Sequence, residues 1–367
     1  MPTVRTFRRR TAAIFSLVAV LALSFGVACS SDDDGPSAAG DPTAEGDPTA
    51  SGSVTGDAGS LTVYSGRSQD LVGPLLEQFE ADTGIQVNVR YADTAQLAAT
   101  ILEEGSRSPA DVFFAQDAGA LGAVEGAGLL TAIDASVLER VPERYRSPHG
   151  EWVGVSGRVR TVVYNTEVLT PDDLPASILD FTDPRWSGRI GWAPTNGSFQ
   201  AFVTALRLSE GEDAARAWLE GIKDNGAIEY PNNPAIVAAV AAGEIEVGFV
   251  NHYYVHRFIA EEGEDFEARN YYTAPGDVGT LVNVAGVGIL GSSDSPSVAV
   301  TFVDYLLSES AQEYFSRETF EYPLVPGIEA NADLASIEEL DPVDVDLGNL
   351  ADLQGSLTLM SEVGILP

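Results

Sequence analysis

The sequence is poor in the residues that most often carry covalent or metal chemistry. Its 367 residues include one cysteine and three histidines. With a single thiol, no disulfide can form within the chain. The sequence also lacks a Gly-x-Ser-x-Gly nucleophile elbow and a phosphate-binding loop, and no convincing Ser-His-Asp set is available among so few histidines. These absences argue against an enzyme.

Basic residues are scarce as well. The chain has 20 lysines and arginines against 55 acidic residues, which gives a formal net charge of −35. A chain this acidic is repelled by the phosphates of nucleic acids and by anionic membrane surfaces. We therefore expect no nucleic-acid partner, and no membrane contact of the folded body itself.

The first 59 residues have the composition of a signal and a tether. A basic start, "MPTVRTFRRR", precedes an apolar run too short for a comfortable membrane span, which predicts a secretory signal peptide at residues 1–28. Cys29 follows the small residues Gly26 and Ala28, as in bacterial lipoproteins, which favours its lipidation over ordinary cleavage with a free thiol. Residues 29–59 are rich in Asp, Gly, Pro, Ser and Thr without any aromatic residue, so we expect a disordered linker.

The remaining residues alternate between strand-like and helix-like segments. The short β-rich "LTVYSG" is followed by a helical "SQDLVGPLLEQFEADTG", and similar pairs recur along the chain. Such alternation predicts an α/β protein with parallel strands. We expect one lobe from residues 60–158 and 281–320, a second from 159–280, and C-terminal helices at 321–367 packing on the lobes. The runs "WVGVSGRVRTVVYNTE" and "LVNVAGVGIL" are the predicted hinge crossings, with a ligand cleft between the lobes.

The stretch "NHYYVHRF", from Asn251, offers two kinds of metal site. His252 and His256 are spaced to share a helix face and hold zinc, but the protease pattern requires a glutamate where Tyr253 stands. Tyr253 and Tyr254 suit a harder metal such as ferric iron, which is acidic enough to displace phenol protons. In a third interpretation these aromatic residues simply pack an inter-lobe helix.

A second stretch, "PTNGSF", resembles an anion nest. It offers backbone N–H groups, an amide and a hydroxyl directly before a predicted helix. The alternative is a generic helix-capping turn.

Six segments together resemble the periplasmic ferric-ion-binding proteins of bacterial iron-uptake ABC transporters. These are "LTVYSGR", "EEGSRSPADVFFAQD", "WVGVSGRVRTVVYNT", "RIGWAPTNGSF", "NNPAIVAAVAAGEIEVGFVNHYYVHRF" and "EYPLVPG", in that order. The resemblance implies a two-lobed periplasmic-binding-protein fold of type II. It also implies that Tyr253 and Tyr254 are ligands of Fe(III) as cargo, and that a synergistic anion, carbonate or phosphate, completes the coordination. The residues it implies around the anion are Asn196, Gly197, Ser198, Asn233, Asn251 and Arg160, with Arg67 as a further candidate. The alternative for either arginine is a surface or structural ion pair.

Two positions depart from the pattern that the resemblance leads us to expect. Relatives often have a histidine ligand where this chain has Ser68, and a glutamate ligand where it has Gln116. Anion oxygens, water or a carboxylate such as Asp117 can then complete the shell, or the protein carries iron as a chelate.

The resulting expectation is a monomeric, lipid-anchored binding protein on the outer face of the cytoplasmic membrane. It would deliver ferric iron to an ABC permease. The alternative function is a receptor for an anion or another small solute, in which the tyrosines only stack.

Overall fold

A computed structural model of the chain describes residues 59–366, which form ten strands and twelve α-helices. The strands are β1 Ser60–Ser65, β2 Gln86–Tyr91, β3 Val112–Ala115, β4 Trp152–Asn165, β5 Ile190–Trp192, β6 Ile228–Glu229, β7 Val247–Asn251, β8 Ala268–Tyr271, β9 Val282–Ile289 and β10 Tyr322–Pro323. The helices are α1 Gln69–Thr83, α2 Thr94–Glu104, α3 Ala118–Gly126, α4 Ala135–Leu138, α5 Gly197–Glu210, α6 Glu212–Asp224, α7 Asn233–Ala241, α8 Tyr253–Glu262, α9 Pro296–Leu306, α10 Glu309–Arg317, α11 Ile337–Leu340 and α12 Leu353–Val363.

The predicted α/β alternation is present in the fold. In the first helix, α1, the periodic residues Leu71, Leu75 and Phe79 are buried, and the helix ends at Gly84 in the left-handed conformation. Strand β1 pairs in parallel with β2 and β3, and β5 pairs in parallel with β6 and β7. Parallel neighbours require crossover connections, which the helices supply.

The strand order is β2-β1-β3-β9-β4-β7-β5-β6, with β8 and β10 also paired to β4. Strand β4 has 14 residues, all of them buried. Its first half pairs with β9 up to Val159, and its second half pairs with β7 from Arg160 onward. We call β1, β2, β3, β9 and the first half of β4 the first strand group, and β5 to β8 with the second half of β4 the second strand group.

Strand β4 therefore passes from one group to the other, as its long β-rich sequence predicted. The chain returns to the first strand group at Leu281, whose carbonyl accepts a hydrogen bond of 2.9 Å from the Arg160 N–H. Strand β9, which follows directly, pairs only with strands of the first group.

The C-terminal part differs from the sequence prediction in one place. The segment "SPSVAVTFVDYLLSESAQEYFS" reads as a single helix, but it forms α9 and α10 with a break at Leu307 and Ser308. The cause is local, because the Ser308 side chain accepts a hydrogen bond from the Ala311 N–H and caps a new helix. Helix α12 packs on α5 and α6.

Between residues 59 and 366, no helix is long and apolar enough to cross a membrane. The predicted signal peptide, Cys29 and most of the predicted linker lie outside the described residues.

Candidate functional site

Two tyrosines lie side by side where the second strand group turns into a helix. Strand β7 ends at Asn251 and α8 begins at Tyr253. The ring centroids of Tyr253 and Tyr254 are 4.1 Å apart with 37° between the ring planes. On a regular strand or in mid-helix, adjacent side chains diverge, so this pairing depends on the strand-to-helix junction. We call these two residues the tyrosine pair.

The tyrosine pair is buried, with Tyr253 0% and Tyr254 8% exposed. The Tyr253 hydroxyl is buried and has no hydrogen-bond partner, although buried hydroxyls normally have one. Burial, together with the neighbouring Tyr253, raises the pKa of Tyr254 well above that of a free phenol. The Tyr254 phenol is therefore protonated at neutral pH unless a bound cation displaces its proton.

The two histidines of the same stretch are occupied by structural contacts. His252 Nδ1 accepts a 3.1 Å hydrogen bond from the Val159 N–H, and its Nε2 donates a 2.9 Å hydrogen bond to the Phe320 carbonyl. Burial, then the nearby His256, lowers the pKa of His252 to about 3, so the ring is neutral. His256 stacks on the Phe320 ring at 5.8 Å. The zinc interpretation finds no support, since residues 59–366 contain no cluster of three or more His, Cys, Asp or Glu that could hold a metal.

The polar residues predicted around an anion form one hydrogen-bonded network beside the tyrosine pair. Asn251 Nδ2 donates to Ser198 Oγ at 3.0 Å, and the Asn251 N–H donates to Asn233 Oδ1 at 3.1 Å. Asn196 caps α5 by accepting hydrogen bonds from the N–H and hydroxyl of Ser198. Residues from three elements, α5, α7 and β7, therefore meet at one point, with Gly197 at the helix start.

Three arginines are buried around this point, and we call them the arginine cluster: Arg67, Arg158 and Arg160. Arg160 Nη1 donates to Asn251 Oδ1 at 3.3 Å, and burial, then Arg158, lowers the Arg160 pKa to about 9. The Arg67 guanidinium carbon lies 5.9 Å from the centroid of the Tyr253 ring. The cluster is thus a concentrated positive charge beside two phenols, in a strongly acidic protein.

Sequence reasoning missed Arg158. It is 1% exposed, and none of its three guanidinium nitrogens has a hydrogen-bond partner. Burial, then the charge of Arg67, lowers its pKa. The signal was available, because residues two apart on a strand face the same way and Arg160 in "GRVRT" was already a candidate.

Sequence reasoning also missed Glu321, which lies in the segment "EYPLVPG". Its side chain is fully buried and its Oε2 accepts a 2.7 Å hydrogen bond from Arg67 Nη2. A carboxylate in an otherwise apolar and aromatic stretch was the available signal, since such a residue is buried only with a partner.

A cleft of about 860 Å³ lies against Tyr254 of the tyrosine pair, and Tyr253 packs behind Tyr254. Arg67, Ser68 and Gln116 line the cleft from the first strand group, and Asn196 and Tyr254 line it from the second. The two positions that depart from the expected ligand pattern therefore face the same cleft as Tyr254. Ser68 is the N-cap of α1, but its side chain makes no capping hydrogen bond.

The two strand groups touch at Gly197. A methyl group built there would lie 3.0 Å from Asp117 Oδ2 and 3.3 Å from Thr94 Cβ, which is closer than ordinary contact. Asp117 itself caps α3, accepting a 2.9 Å hydrogen bond from the Ala120 N–H. Only glycine permits this approach without displacement, and we call this close contact at Gly197 the closed form.

Comparison with known proteins adds independent information. A family model described as bacterial extracellular solute-binding protein matches residues 107–345. The Fe(3+)-binding periplasmic protein of Serratia marcescens is 34% identical over 308 residues, covering 83% of this chain and 90% of the relative. The major ferric iron-binding protein of Neisseria gonorrhoeae is 34% identical over 311 residues, covering 83% and 93%.

Solved structures show the same relationship. Iron-bound HitA from Pseudomonas aeruginosa superposes with a TM-score of 0.80 at 36% identity, over 83% of this chain and 99% of that one. The Trichodesmium protein IdiA (FutA), solved with iron and citrate ligands, gives a TM-score of 0.68 at 29% identity, over 83% and 99%.

Proposed function

This chain belongs to the bacterial extracellular solute-binding proteins, and among them to the periplasmic ferric-ion-binding family; we propose that it binds ferric iron through Tyr253 and Tyr254. Its fold is the two-lobed α/β fold of type II that this family shares. Like its relatives, the chain is a binding protein of a transport system and not an enzyme.

The single observation that carries the proposal is the buried, partnerless hydroxyl of Tyr253, whose ring packs against Tyr254 at the wall of the cleft. A stacking role needs only the rings and gives no reason to bury a hydroxyl without a partner, which is unfavourable by about 1–3 kcal/mol. A ferric ion supplies that partner, since it is acidic enough to replace the phenol proton with a metal–oxygen bond.

Two phenolates do not complete the coordination shell of a hard ion that takes mostly oxygen ligands. The neighbouring side chains are neutral at Ser68 and Gln116, so they contribute no charge to the site. We propose that a synergistic anion, carbonate or phosphate, occupies the space bounded by Arg160, Asn196 and Asn251, with Gly197, Ser198 and Asn233 supporting it. The hydrogen-bonded network of these residues and the positive charge of Arg160 support this position.

A second candidate cargo is iron in the form of an anionic chelate. The observation that favours it is the number of unused donors, because Arg158 has three partnerless guanidinium nitrogens and Arg67 has two. A polycarboxylate bound to iron would bring oxygen atoms to several of these donors at once.

Family membership supports a proposal for delivery, and the sequence around Cys29 supports one for anchoring. We propose that the lobes, residues 60–158 with 281–320 and residues 159–280, close on the cargo by hinge motion at β4 and Leu281, with residues 321–367 packed on them. The loaded monomer would then pass iron to an ABC permease. We further propose that Cys29 is lipidated and holds the protein at the outer face of the cytoplasmic membrane, where tethering raises its local concentration.

Titration of the purified protein with ferric iron tests the proposal. Binding should produce visible colour from phenolate-to-iron charge transfer, and it should weaken strongly in buffer stripped of carbonate and phosphate. Supplying citrate with the iron distinguishes bound chelate from iron bound with a small anion. Citrate remains with the protein after gel filtration only if the iron is bound as the chelate. His256→Gln serves as the control and should keep the colour. A colourless wild-type protein that still binds phosphate would instead support an anion receptor.

A further inference from the structure

Behind the arginine cluster, the turn between α10 and β10 places a fully buried carboxylate against Arg67. We propose that Glu321 is a positioning residue for Arg67: it holds one edge of the guanidinium and thereby sets how strongly iron binding depends on a bound anion. This inference rests on the proposed function, and it adds a residue from a part of the chain distant from the tyrosines.

The geometry of the pair explains the positioning. Arg67 Nη2 donates to Glu321 Oε2 at 2.7 Å, and both side chains are 0% exposed. Arg67 Nε and Nη1 have no partner, and the guanidinium lies against the Tyr253 ring and along the cleft. Because Glu321 engages one edge, the other donors of the planar group remain available to an anion or a phenolate.

The turn that carries Glu321 is fixed from several sides. The Thr319 hydroxyl shares its proton between two acceptors, the Phe315 carbonyl at 2.8 Å and Glu321 Oε2 at 3.1 Å, and the Glu321 N–H donates to the Phe315 carbonyl at 2.9 Å. Phe320 has a φ of 56°, a left-handed conformation that is unfavourable for a bulky residue. Such strain persists only where the surroundings impose it, and it is concentrated at functional sites.

The two histidines are what hold Phe320 in that conformation. His252 donates to the Phe320 carbonyl at 2.9 Å, and His256 stacks on its ring. His252 directly precedes Tyr253 in the chain. A closed ring of contacts therefore runs from Tyr253 through His252, Phe320 and Glu321 to Arg67 and back to the Tyr253 ring, so the carboxylate is positioned relative to the proposed iron ligand.

The charge of Glu321 has a definite consequence for binding. Replacing it by glutamine keeps an acceptor for Arg67 but makes the buried site one charge more positive. A trivalent cation then binds less well unless an anion restores the balance. The ratio of the iron dissociation constant without phosphate to that with phosphate should thus increase.

The test is this ratio, measured by chelator competition for wild type, Glu321→Gln and the surface control Glu313→Gln, whose side chain pairs with Arg317 on the exposed face of α10. We expect an increase on the order of tenfold for Glu321→Gln and none for the control. A shift of the charge-transfer band should accompany it. If Glu321 only supports the fold, iron affinity changes equally with and without phosphate, which overturns the proposal.

A double-mutant cycle shows whether Glu321 acts through Arg67. In an Arg67→Gln background, Glu321→Gln should change the ratio less, because its charge still acts but the guanidinium that it positions is absent; an undiminished effect excludes the proposed route. If Glu321→Gln does not fold, Thr319→Val decides, because it removes the hydroxyl that the carboxylate and the Phe315 carbonyl share without changing charge. We expect the ratio to change by about two- to threefold, and an unchanged ratio contradicts the inference. A wild-type protein that binds no iron refutes the proposed function instead.

Discussion

Replacing Tyr253 by phenylalanine should stabilise the iron-free protein while destroying its iron binding. The substitution removes one buried oxygen atom and keeps the ring that packs at 4.1 Å against Tyr254. Since the hydroxyl has no hydrogen-bond partner, its removal should raise the free energy of unfolding by about 1–3 kcal/mol.

The loss of iron affinity should be much larger than this gain. Substituting groups that only support a metal ligand weakens binding by about 10–100-fold, and loss of a charged ligand itself should exceed that range. We therefore expect at least a 1000-fold loss, or about 4 kcal/mol, together with loss of most of the visible colour. Urea denaturation of the iron-free protein and chelator competition of the loaded protein measure the two quantities separately.

Tyr272 provides a matched control within the same chain. Its hydroxyl is also buried without a hydrogen-bond partner, but Tyr272 follows strand β8 and does not belong to the strand-to-helix junction that carries the tyrosine pair. Tyr272→Phe should therefore give a comparable gain in stability with unchanged iron affinity and colour. If Tyr253→Phe retains iron affinity within tenfold of wild type, the tyrosine pair is not the iron site and the central assignment is wrong.

Three further substitutions test the closure, the acid stability and the charge of the site. Gly197→Ala should weaken iron binding about tenfold, because the added methyl group overpacks the lobe contact. Gly126→Ala should not weaken it, because Gly126 has open space around it. If both variants release iron to a chelator at the same rate, the closed form is contradicted. Burial lowers the pKa of His252 to about 3, below its unfolded value of about 6.5. The neutral ring therefore contributes fully to stability above pH 6.5, and this contribution is lost as the pH falls towards 3. The free energy of unfolding should decrease by roughly 4–5 kcal/mol over this range. Urea denaturation across this range should show a flatter pH dependence for His252→Gln, and an unchanged slope would assign the loss to other groups. Arg158→Met should raise the free energy of unfolding of the iron-free protein by about 1–3 kcal/mol, because it removes a buried charge without hydrogen-bond partners, and it should weaken phosphate-dependent iron binding. A less stable variant with normal binding would mean that the guanidinium has partners in solution.

The order of the elements was readable from the sequence because it depends on local periodicity. The buried positions of α1 recur at helical spacing, and the long apolar run of β4 matches a strand that is buried throughout. The break between α9 and α10 was missed because the periodic pattern continues across it. A single capping hydrogen bond at Ser308 makes α10 begin as a separate helix. One such bond leaves the helical periodicity of the sequence unchanged, so the pattern does not show the helix boundary.

The site was only partly readable for a different reason. Residues near one another in the chain, such as the tyrosine pair and the Asn196–Ser198 turn, carry their own signal. Glu321 lies 254 positions from Arg67, and nothing in either local sequence specifies the other. Similarly, the two histidines have zinc spacing in the sequence, and only the tertiary contacts of His252 with Val159 and Phe320 reveal that its nitrogens are already used.

If iron binds at the tyrosine pair as proposed, the charges around the pair make the anion a condition of iron binding. The arginine cluster contributes three positive charges and Glu321 one negative charge. Ferric iron replacing two phenol protons adds one more positive charge, so iron alone would leave the buried site more positive than the empty one. Uncompensated buried charge is strongly unfavourable, and only an anion with at least two negative charges lowers the total below that of the empty site. The protein surface, with its large excess of acidic residues, favours cations in general, whereas under the proposed function the arginine cluster would restrict the cargo to iron that arrives with such an anion.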